Sequence, residues 1–595
     1  METVSLTIDG RDVTVEKGRT VLQAAIEHGV EIPYYCYHPG LGVDGSCRVC
    51  VVKIEKMPKL QTACSTVCTD GMAVTTASPE VVEARAGVFE FLLINHPLDC
   101  PVCDKGGECP LQDFSYSFGP ADSRMEFARR VFDGEGVAAD VDFGPTLMLN
   151  RNRCILCTRC VRFMRDVDGD AQIGITDRGY GSEIATYKEE GVHSLLSGNL
   201  MDVCPVGAIT TRDYRFKSRP WDNPHVVDTT CTFCSKGCST SVWIKAKPEW
   251  AKGPRIVRVT PRLNPEVNGY WMCDIGRFDY HWVEDETRRL DTPLLRNPDG
   301  TQAAASWGDA LKALRAMDED VRAGLRFLVS AHASLEEIYL LQRLAGGLTG
   351  PAARDAITLS WRHAPKAQPA GVAFTVPPVE APNVNGARDL GVPMAGDNAS
   401  AADTSALRQA VEKGAVPVLY VFDPGPEGTL GDVAWVVEAR RSGRLPMLVY
   451  QGALVNELAQ VADILLPGAT AFEKDASYTN DKGIVQAVTR INPPPGDAME
   501  DWQALVQVGA ALGVPLDYSS PDQVRAEIGR LLTGNPAYAA IAQLSFARPV
   551  TAQTWLQGSN PSERWKWDFL FQDLPPVKWG PEPPAGAIPL KTLDK

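Results

Sequence analysis

The chain has 595 residues, 44% of them apolar and 22% charged, a length and balance that predict three to five globular domains. A net charge of −15, from 59 Lys and Arg against 74 Asp and Glu, excludes a basic nucleic-acid-binding protein. No run of 18 apolar residues occurs to span a membrane, and residues 1–10 read as an acidic strand, neither a secretory signal nor an Arg-rich transit peptide.

In chain order, residues 4–8 and 12–15 flank Asp9-Gly10, a pair suited to positive φ, so a β-hairpin is expected there. An apolar helix over 21–27 should end with Gly29 at C′. A strand over 49–54 follows a long cysteine loop, which predicts a small mixed sheet gripping one helix. Ser78 and Pro79 make an N-cap and first-turn pair for a second helix, running to Asn95 just before His96. Short helical turns around cysteines are expected over 154–213, and another cysteine-bearing piece over 225–285. Farther on, a helical stretch at 334–345 alternates with strand-like runs at 416–422 and 446–450, an α/β pattern with parallel strands. Residues 362–400 read as a long irregular excursion, and six prolines between 575 and 589 predict an extended tail lying on a partner.

All 16 cysteines lie at or before Cys273, in four groups that each contain a short-spaced pair. Clustered cysteines in a chain without a secretory signal point to metal rather than disulfides. The first group is Cys36-x10-Cys47-x2-Cys50-x13-Cys64, three thiolates on one loop with a fourth from a distant segment, which suits a 2Fe–2S rhomb. Gly40, Gly42 and Gly45 let that backbone approach inorganic sulfide. Zinc is the alternative, since CxxC serves it equally. Cys68 is left over, either a small buried hydrophobe or a substitute for Cys64.

The second group is His96-x3-Cys100-x2-Cys103-x5-Cys109. Three cysteines cannot complete a cubane, and His96 fills the gap; a zinc site of three cysteines and one histidine would use similar ligands. The third, Cys154-x2-Cys157-x2-Cys160-x43-Cys204-Pro205, has the triplet and remote Cys-Pro of a bacterial 4Fe–4S ferredoxin. Arg153, Arg159, Arg162 and Arg165 surround it, either to offset cluster charge or as a solvated helix face. The fourth, Cys231-x2-Cys234-x3-Cys238-x34-Cys273, again fits a cubane with a distant last ligand. Without Cys68 there are 15 cysteines, and His96 brings the ligands to 16, four for each of four clusters.

This ordered series resembles the large iron–sulfur subunit of respiratory complex I (NADH:quinone oxidoreductase), the bacterial G or mitochondrial 75 kDa subunit. The resemblance implies one 2Fe–2S and three 4Fe–4S clusters on the ligands above, the fourth cluster off the main electron path. Ser334-Leu335-Glu336-Glu337-Ile338-Tyr339, Ala462-Asp463-Ile464-Leu465-Leu466-Pro467, Glu473-Lys474-Asp475 and Asn480-Asp481-Lys482-Gly483 resemble the molybdopterin oxidoreductase fold. There the chain departs from the enzymes: Ile275 stands where they carry an electron-passing Lys, no cysteine follows Cys273, and Gly483-Ile484 lacks the usual Arg. The expected architecture is therefore multidomain α+β and α/β. It comprises a β-grasp 2Fe–2S ferredoxin-like domain (1–79), a 4Fe–4S module with one histidine and three cysteine ligands (80–120) and a bacterial-ferredoxin-like module (121–223). A 4Fe–4S module of molybdopterin-oxidoreductase type (224–285), a degenerate molybdopterin-oxidoreductase-like domain without molybdopterin (286–572) and the Pro-rich tail (573–595) complete it.

The expected function is electron transfer within a proton-pumping NADH:quinone oxidoreductase, from flavin mononucleotide on a partner, through the clusters, towards quinone. The implied partners are the flavin- and NADH-binding subunit, a 2Fe–2S subunit and the quinone-side 4Fe–4S subunits, with membrane contact only through them, at the cytoplasmic side of the bacterial inner membrane. No G-x-G-x-x-G opens a helix after a strand, so the chain alone carries no complete catalytic site. An NAD-linked molybdenum formate dehydrogenase is the alternative, against which Ile275 and the missing cysteine count. An iron-only hydrogenase would need later cysteines, and a non-redox scaffold leaves 16 well-spaced ligands without a purpose.

Overall fold

The computed structural model describes residues 2–132, 138–245, 255–350, 353–394 and 402–550, so the expected Pro-rich tail lies outside the described residues. These fall into two compact units, divided between Asp222 and Asn223.

The first unit opens with β1 (Thr3–Ile8) and β2 (Arg11–Glu16), joined through Asp9 (φ 49°) and Gly10 (φ 75°). They pair antiparallel from Thr3 opposite Glu16 to Ile8 opposite Arg11. With β3 (Val51–Ile54), β4 (Gln61–Thr62) and β5 (Ala73–Thr75) they form a sheet in the order β2-β1-β5-β3-β4, in which β1 and β5 run parallel. Leu6, Ile8, Val13, Val15, Val52, Ile54 and Val74 bury one face against Val21, Leu22 and Ala25 of the helix Val21–Glu27. Thr20 and Gln23 cap that helix reciprocally, each side chain bonding the other's backbone N–H. The strand expected from residue 49 begins at Val51, because the chain is still turning out of the cysteine loop through Arg48 at φ 59°.

The helix Pro79–Leu93 starts as expected, with the Ser78 hydroxyl accepting from the Val81 N–H at 3.3 Å. Its buried Arg85 donates from Nε and Nη2 to the Val51 carbonyl, which ties the helix to the sheet. Over 154–213 helical turns alone are not what forms. The short helices Arg159–Phe163 and Asn199–Val203 alternate with a sheet of β6 (Asp140–Asp142), β7 (Leu147–Asn150) and β10 (Ile209–Thr211), and with a hairpin of β8 (Ile173–Thr176) and β9 (Glu183–Thr186). Strands of three or four residues are too short to show a period in sequence.

The second unit begins with an antiparallel sheet of β11 (His225–Thr230), β12 (Ser239–Ile244) and β13 (Ile256–Pro261). A seven-stranded sheet follows, made by β14 (Leu294–Arg296), β15 (Gln302–Ala304), β16 (Arg326–Ser330), β17 (Ile357–Ser360), β18 (Val418–Asp423), β19 (Met447–Gly452) and β20 (Ile464–Pro467). Its order is β15-β14-β20-β19-β18-β16-β17, with the last five strands parallel. This is the expected α/β pattern; β18 is buried along its whole length, as a parallel strand covered on both faces must be. Ser334 and Glu337 cap the helix Leu335–Thr349 reciprocally. The 362–400 excursion is not irregular throughout: a short helix, Val384–Asp389, interrupts it. Asn383 holds that helix in place by donating to the Ala333 carbonyl at 2.8 Å and accepting from the Thr479 N–H at 2.9 Å. Among the described residues no helix is long and apolar enough to cross a membrane.

Candidate metal centres

Every one of the 16 cysteines is a free thiol. In the first group Cys36, Cys50 and Cys64 are buried and Cys47 partly so. The Cys36 sulfur lies within hydrogen-bonding reach of Cys47 and Cys64, and Cys64 in turn reaches Cys50, so the four gather in one spot. The Cys47 and Cys64 thiols and the Gly45 N–H hold Cys36 well below the usual thiol range, while Cys36 pushes Cys64 up. Gly42 (φ 72°) and Gly45 (φ 79°) take the left-handed conformation, and the Gly40 N–H donates to His38 Nδ1 at 3.1 Å. Cys68 is packed in the apolar core beside the helix Val21–Glu27, where burial pushes its thiol up to about 11.

His96, Cys100, Cys103 and Cys109 line one cavity of about 340 Å³. Cys100 is exposed at its rim, and burial pushes Cys109 up to about 12. Burial, reinforced by the Arg153 guanidinium, pushes His96 down to about 4, so its ring is neutral at physiological pH. The His96 backbone N–H closes the preceding helix on the Leu93 carbonyl at 3.1 Å, but the ring takes no part in capping. Its Nδ1 is buried without a hydrogen-bond partner among the described residues. A neutral imidazole with an unused buried lone pair, facing three thiols, fits a cluster ligand.

In the third group Cys157, Cys160 and Cys204 are buried, and Cys154 and Cys157 are pushed up to about 12 and about 11 by burial. Leu156 (φ 52°) and Thr158 (φ 64°) take the left-handed conformation between the cysteines, a strain that non-glycine residues accept where the surroundings impose it. It turns the Leu156 N–H onto the Cys154 sulfur at 3.4 Å. Of the four arginines, only Arg165 is solvated, paired with Asp166; Arg153, Arg159 and Arg162 are buried.

The fourth group gathers Cys231, Cys234, Cys238 and Cys273; burial pushes all four thiols up, and the Cys273 thiol adds to the effect at Cys231, Cys234 and Cys238. A Cβ on Gly276 would stand 2.8 Å from the Cys231 sulfur, so the cradle is built to the sulfur's size. Beside it lies a cavity of about 430 Å³ lined by Phe233, Ile275, Arg288, Arg362, Lys366 and Glu380. Arg362 and Lys366 both pair with Glu380, and Arg288 with Glu427.

One device recurs in all four groups and has little signature in the sequence. The backbone N–H two residues after a cysteine points at that cysteine's sulfur: Val49 to Cys47, Lys105 to Cys103, Leu111 to Cys109, Leu156 to Cys154, Arg159 to Cys157, Phe233 to Cys231, Lys236 to Cys234 and Ile275 to Cys273. N–H donors aimed at sulfur favour the thiolate, the form that binds metal. The two-residue gap of CxxC signals it at Cys47, Cys154, Cys157 and Cys231, and no such gap follows Cys103, Cys109, Cys234 or Cys273. Among the described residues no group of three or more His, Cys, Asp or Glu side chains is set to hold a single metal ion.

Family comparisons divide the chain in the same way. Residues 1–79 match a 2Fe-2S iron-sulfur cluster binding domain, 85–124 the NADH-ubiquinone oxidoreductase-G iron-sulfur binding region, and 144–210 the ferredoxin-like domain of NADH-quinone oxidoreductase subunit 3. Residues 224–285 match a molybdopterin oxidoreductase Fe4S4 domain and 363–511 molybdopterin oxidoreductase. The G subunit of NADH-quinone oxidoreductase from Streptomyces coelicolor is 44% identical over 314 residues, 52% of this chain and 35% of that protein's length. The mitochondrial NADH-ubiquinone oxidoreductase 78 kDa subunit of Neurospora crassa is 31% identical over 683 aligned positions, 96% of this chain and 90% of that protein. Among solved structures, a chain of an NAD+-reducing [NiFe]-hydrogenase in the H2-reduced state is 30% identical with a TM-score of 0.32, covering 37% of this chain and 93% of its own. Likeness along nearly the full length of both chains places this one in a family: it belongs with the G and 78 kDa subunits of NADH-quinone oxidoreductase.

Proposed function

We propose that the chain is the electron-relay subunit of a proton-pumping NADH:quinone oxidoreductase, receiving electrons from a flavin on a partner and passing them towards quinone. The observation that carries this reading is the orphaned, neutral His96 facing three thiols, inside a chain whose other cysteines, Cys68 apart, gather in three further sets. Cys36, Cys47, Cys50 and Cys64 would hold a 2Fe–2S cluster. His96, Cys100, Cys103 and Cys109 would hold one 4Fe–4S cluster, Cys154, Cys157, Cys160 and Cys204 a second, and Cys231, Cys234, Cys238 and Cys273 a third. When bound, such clusters supply one-electron redox centres. The chain's own residues fix them, donate N–H bonds to their sulfurs and shield them from water. The six-segment domain division set out from sequence goes with this ligand assignment.

The partners on this reading are the flavin- and NADH-binding subunit, a 2Fe–2S subunit and the quinone-side 4Fe–4S subunits, and the chain lies at the cytoplasmic face of the bacterial inner membrane. The 286–572 segment serves structure and holds no molybdopterin; formate dehydrogenase is not favoured by the relatives. Elemental analysis of the purified chain is the test. About 14 iron atoms per chain, with matching sulfide and no molybdenum or tungsten, is the expected result. Near-stoichiometric molybdenum, or zinc in place of iron, overturns it.

A second expectation arises from Gly207, whose added Cβ would collide with the Cys103 sulfur. Gly207→Ala should therefore expel the His96 cluster, a loss of about four iron atoms per chain, while the 2Fe–2S signal persists. Iron quantification alongside electron paramagnetic resonance measures both.

A further inference from the structure

Arg159 and Arg162 are 4% and 5% exposed, yet neither forms an ion pair with a carboxylate among the described residues. Their neighbours do: Arg153 pairs with Asp99 at 2.9 Å, and Arg165 with Asp166 at 2.6 Å. Asp166, the carboxylate that responds to Arg162 at longer range, spends both oxygens on Arg165. A buried guanidinium without a counter-charge is strongly unfavourable, so something anionic is expected beside it.

Both side chains reach from the third cysteine group into the loop of the first. Arg162 donates from Nη2 to the Cys36 carbonyl and from Nη1 to the Leu41 and Gly42 carbonyls at 3.2 and 3.3 Å. Arg159 donates from Nη2 to the Tyr37 carbonyl and from Nη1 to that of Val203, next to Cys204, at 3.2 Å. Its Nε is buried with no partner among the described residues. Both arginines flank Cys160 on the helix Arg159–Phe163, so each is within one or two residues of a cysteine of the third group while bonding the loop of the first. The carbonyl oxygens accept from their Nη groups, and Arg162 Nε donates to the Thr158 hydroxyl at 3.4 Å, but none of these neutral acceptors cancels the charge.

We propose that Arg159 and Arg162 are shared counter-charges: positioning residues whose two buried cations set the reduction potentials of the first and third clusters together. The proposal rests on the ligand reading above. Four thiolates give each cluster net negative charge, and an added electron makes it more negative. A fixed cation in a low-dielectric site therefore stabilises the reduced form more than the oxidised form and raises the potential. Because the same two cations face both groups, removing one lowers two potentials, whereas the His96 site, with its own Arg153–Asp99 pair, keeps its own.

The test is redox-titrated electron paramagnetic resonance on the full-length chain purified with its iron, comparing wild type with Arg162→Gln, Arg162→Lys and Arg165→Gln. In Arg162→Gln the midpoint potentials of the 2Fe–2S signal and of the Cys154-group signal should both fall, with that of the His96 cluster unmoved. Arg162→Lys, which keeps the charge, should lie near wild type, as should the solvated Arg165→Gln. Unshifted potentials in Arg162→Gln overturn the proposal. If that variant loses iron, Arg162→Lys decides. Retained signals near wild-type potentials support charge as the cause, and loss in Arg162→Lys too assigns the role to hydrogen-bond geometry and overturns it. A wild-type chain lacking either signal removes the ligand reading itself, and this proposal with it.

Discussion

His96→Ala is expected to strip the second site of its cluster, and His96→Cys to keep the cubane at a lower potential. The ring is neutral at physiological pH because burial and the Arg153 guanidinium hold it down at about 4, so its lone pair is free for iron without any proton being displaced. Nδ1 has no partner among the described residues, which leaves nothing in the protein for it to lose when metal binds. Alanine would leave an iron with no protein ligand in a cavity open at the Cys100 rim, and about four iron atoms per chain should go with it. Cysteine would add one negative charge at each oxidation level. Exchanging neutral imidazole for thiolate in the Rieske comparison changes the potential on the order of 100 mV per ligand, and the shift here should be downward by a similar amount. Iron analysis and redox-titrated electron paramagnetic resonance check the two variants. A fully retained, unshifted signal in both would falsify the ligand assignment.

The four cysteine groups were legible because cysteine is rare and its spacing is short; CxxC places two sulfurs on one turn whatever the rest of the chain does. The Ser78-Pro79 cap was legible for the same reason, since it acts within one turn. What could not be read is what closes each site from afar. Gly207 meets Cys103 from a distant loop, and Arg162 bonds the Cys36 carbonyl across a separation of 126. Nothing local to either residue states its partner. The arginines illustrate this: four similar side chains around one cysteine triplet look alike in sequence, and only packing divides them into one solvated, one ion-paired and two buried without a carboxylate. The strands over 140–211 have no sequence signal because three-residue pairings are fixed by neighbours rather than by alternation.

The Glu473-Lys474-Asp475 stretch, conspicuous in the sequence for its likeness to molybdopterin oxidoreductases, turns out to hold the second unit together. Glu473 pairs with Arg289 at 2.7 Å, and the Asp475 carboxylate accepts from the Arg490 N–H at 2.8 Å. Lys474 lies fully enclosed between Glu337 and Asp501, donating to both. Lys474→Met removes the one cation that two buried carboxylates share. Breaking a buried pair from one side costs about 3–5 kcal/mol, because the remaining charge stays desolvated and unpaired. The deficit should depend on pH. Burial already raises Glu337 to about 7 with Lys474 present, and without the lysine the Glu337 carboxyl should rise further above its unfolded value. A carboxyl raised in the folded state takes up a proton on folding, so the stability it permits is present at low pH and is lost as pH rises through its folded value. Urea unfolding of the second unit should therefore show Lys474→Met far below wild type at about pH 8 and closer to it at about pH 5.5. The double variant with Asp501→Asn should recover part of the loss, since the amide needs no counter-charge and can still accept from Gln451 Nε2, which lies 2.8 Å from Asp501 Oδ1. An equal deficit at both pH values would show that Lys474 contributes packing rather than charge.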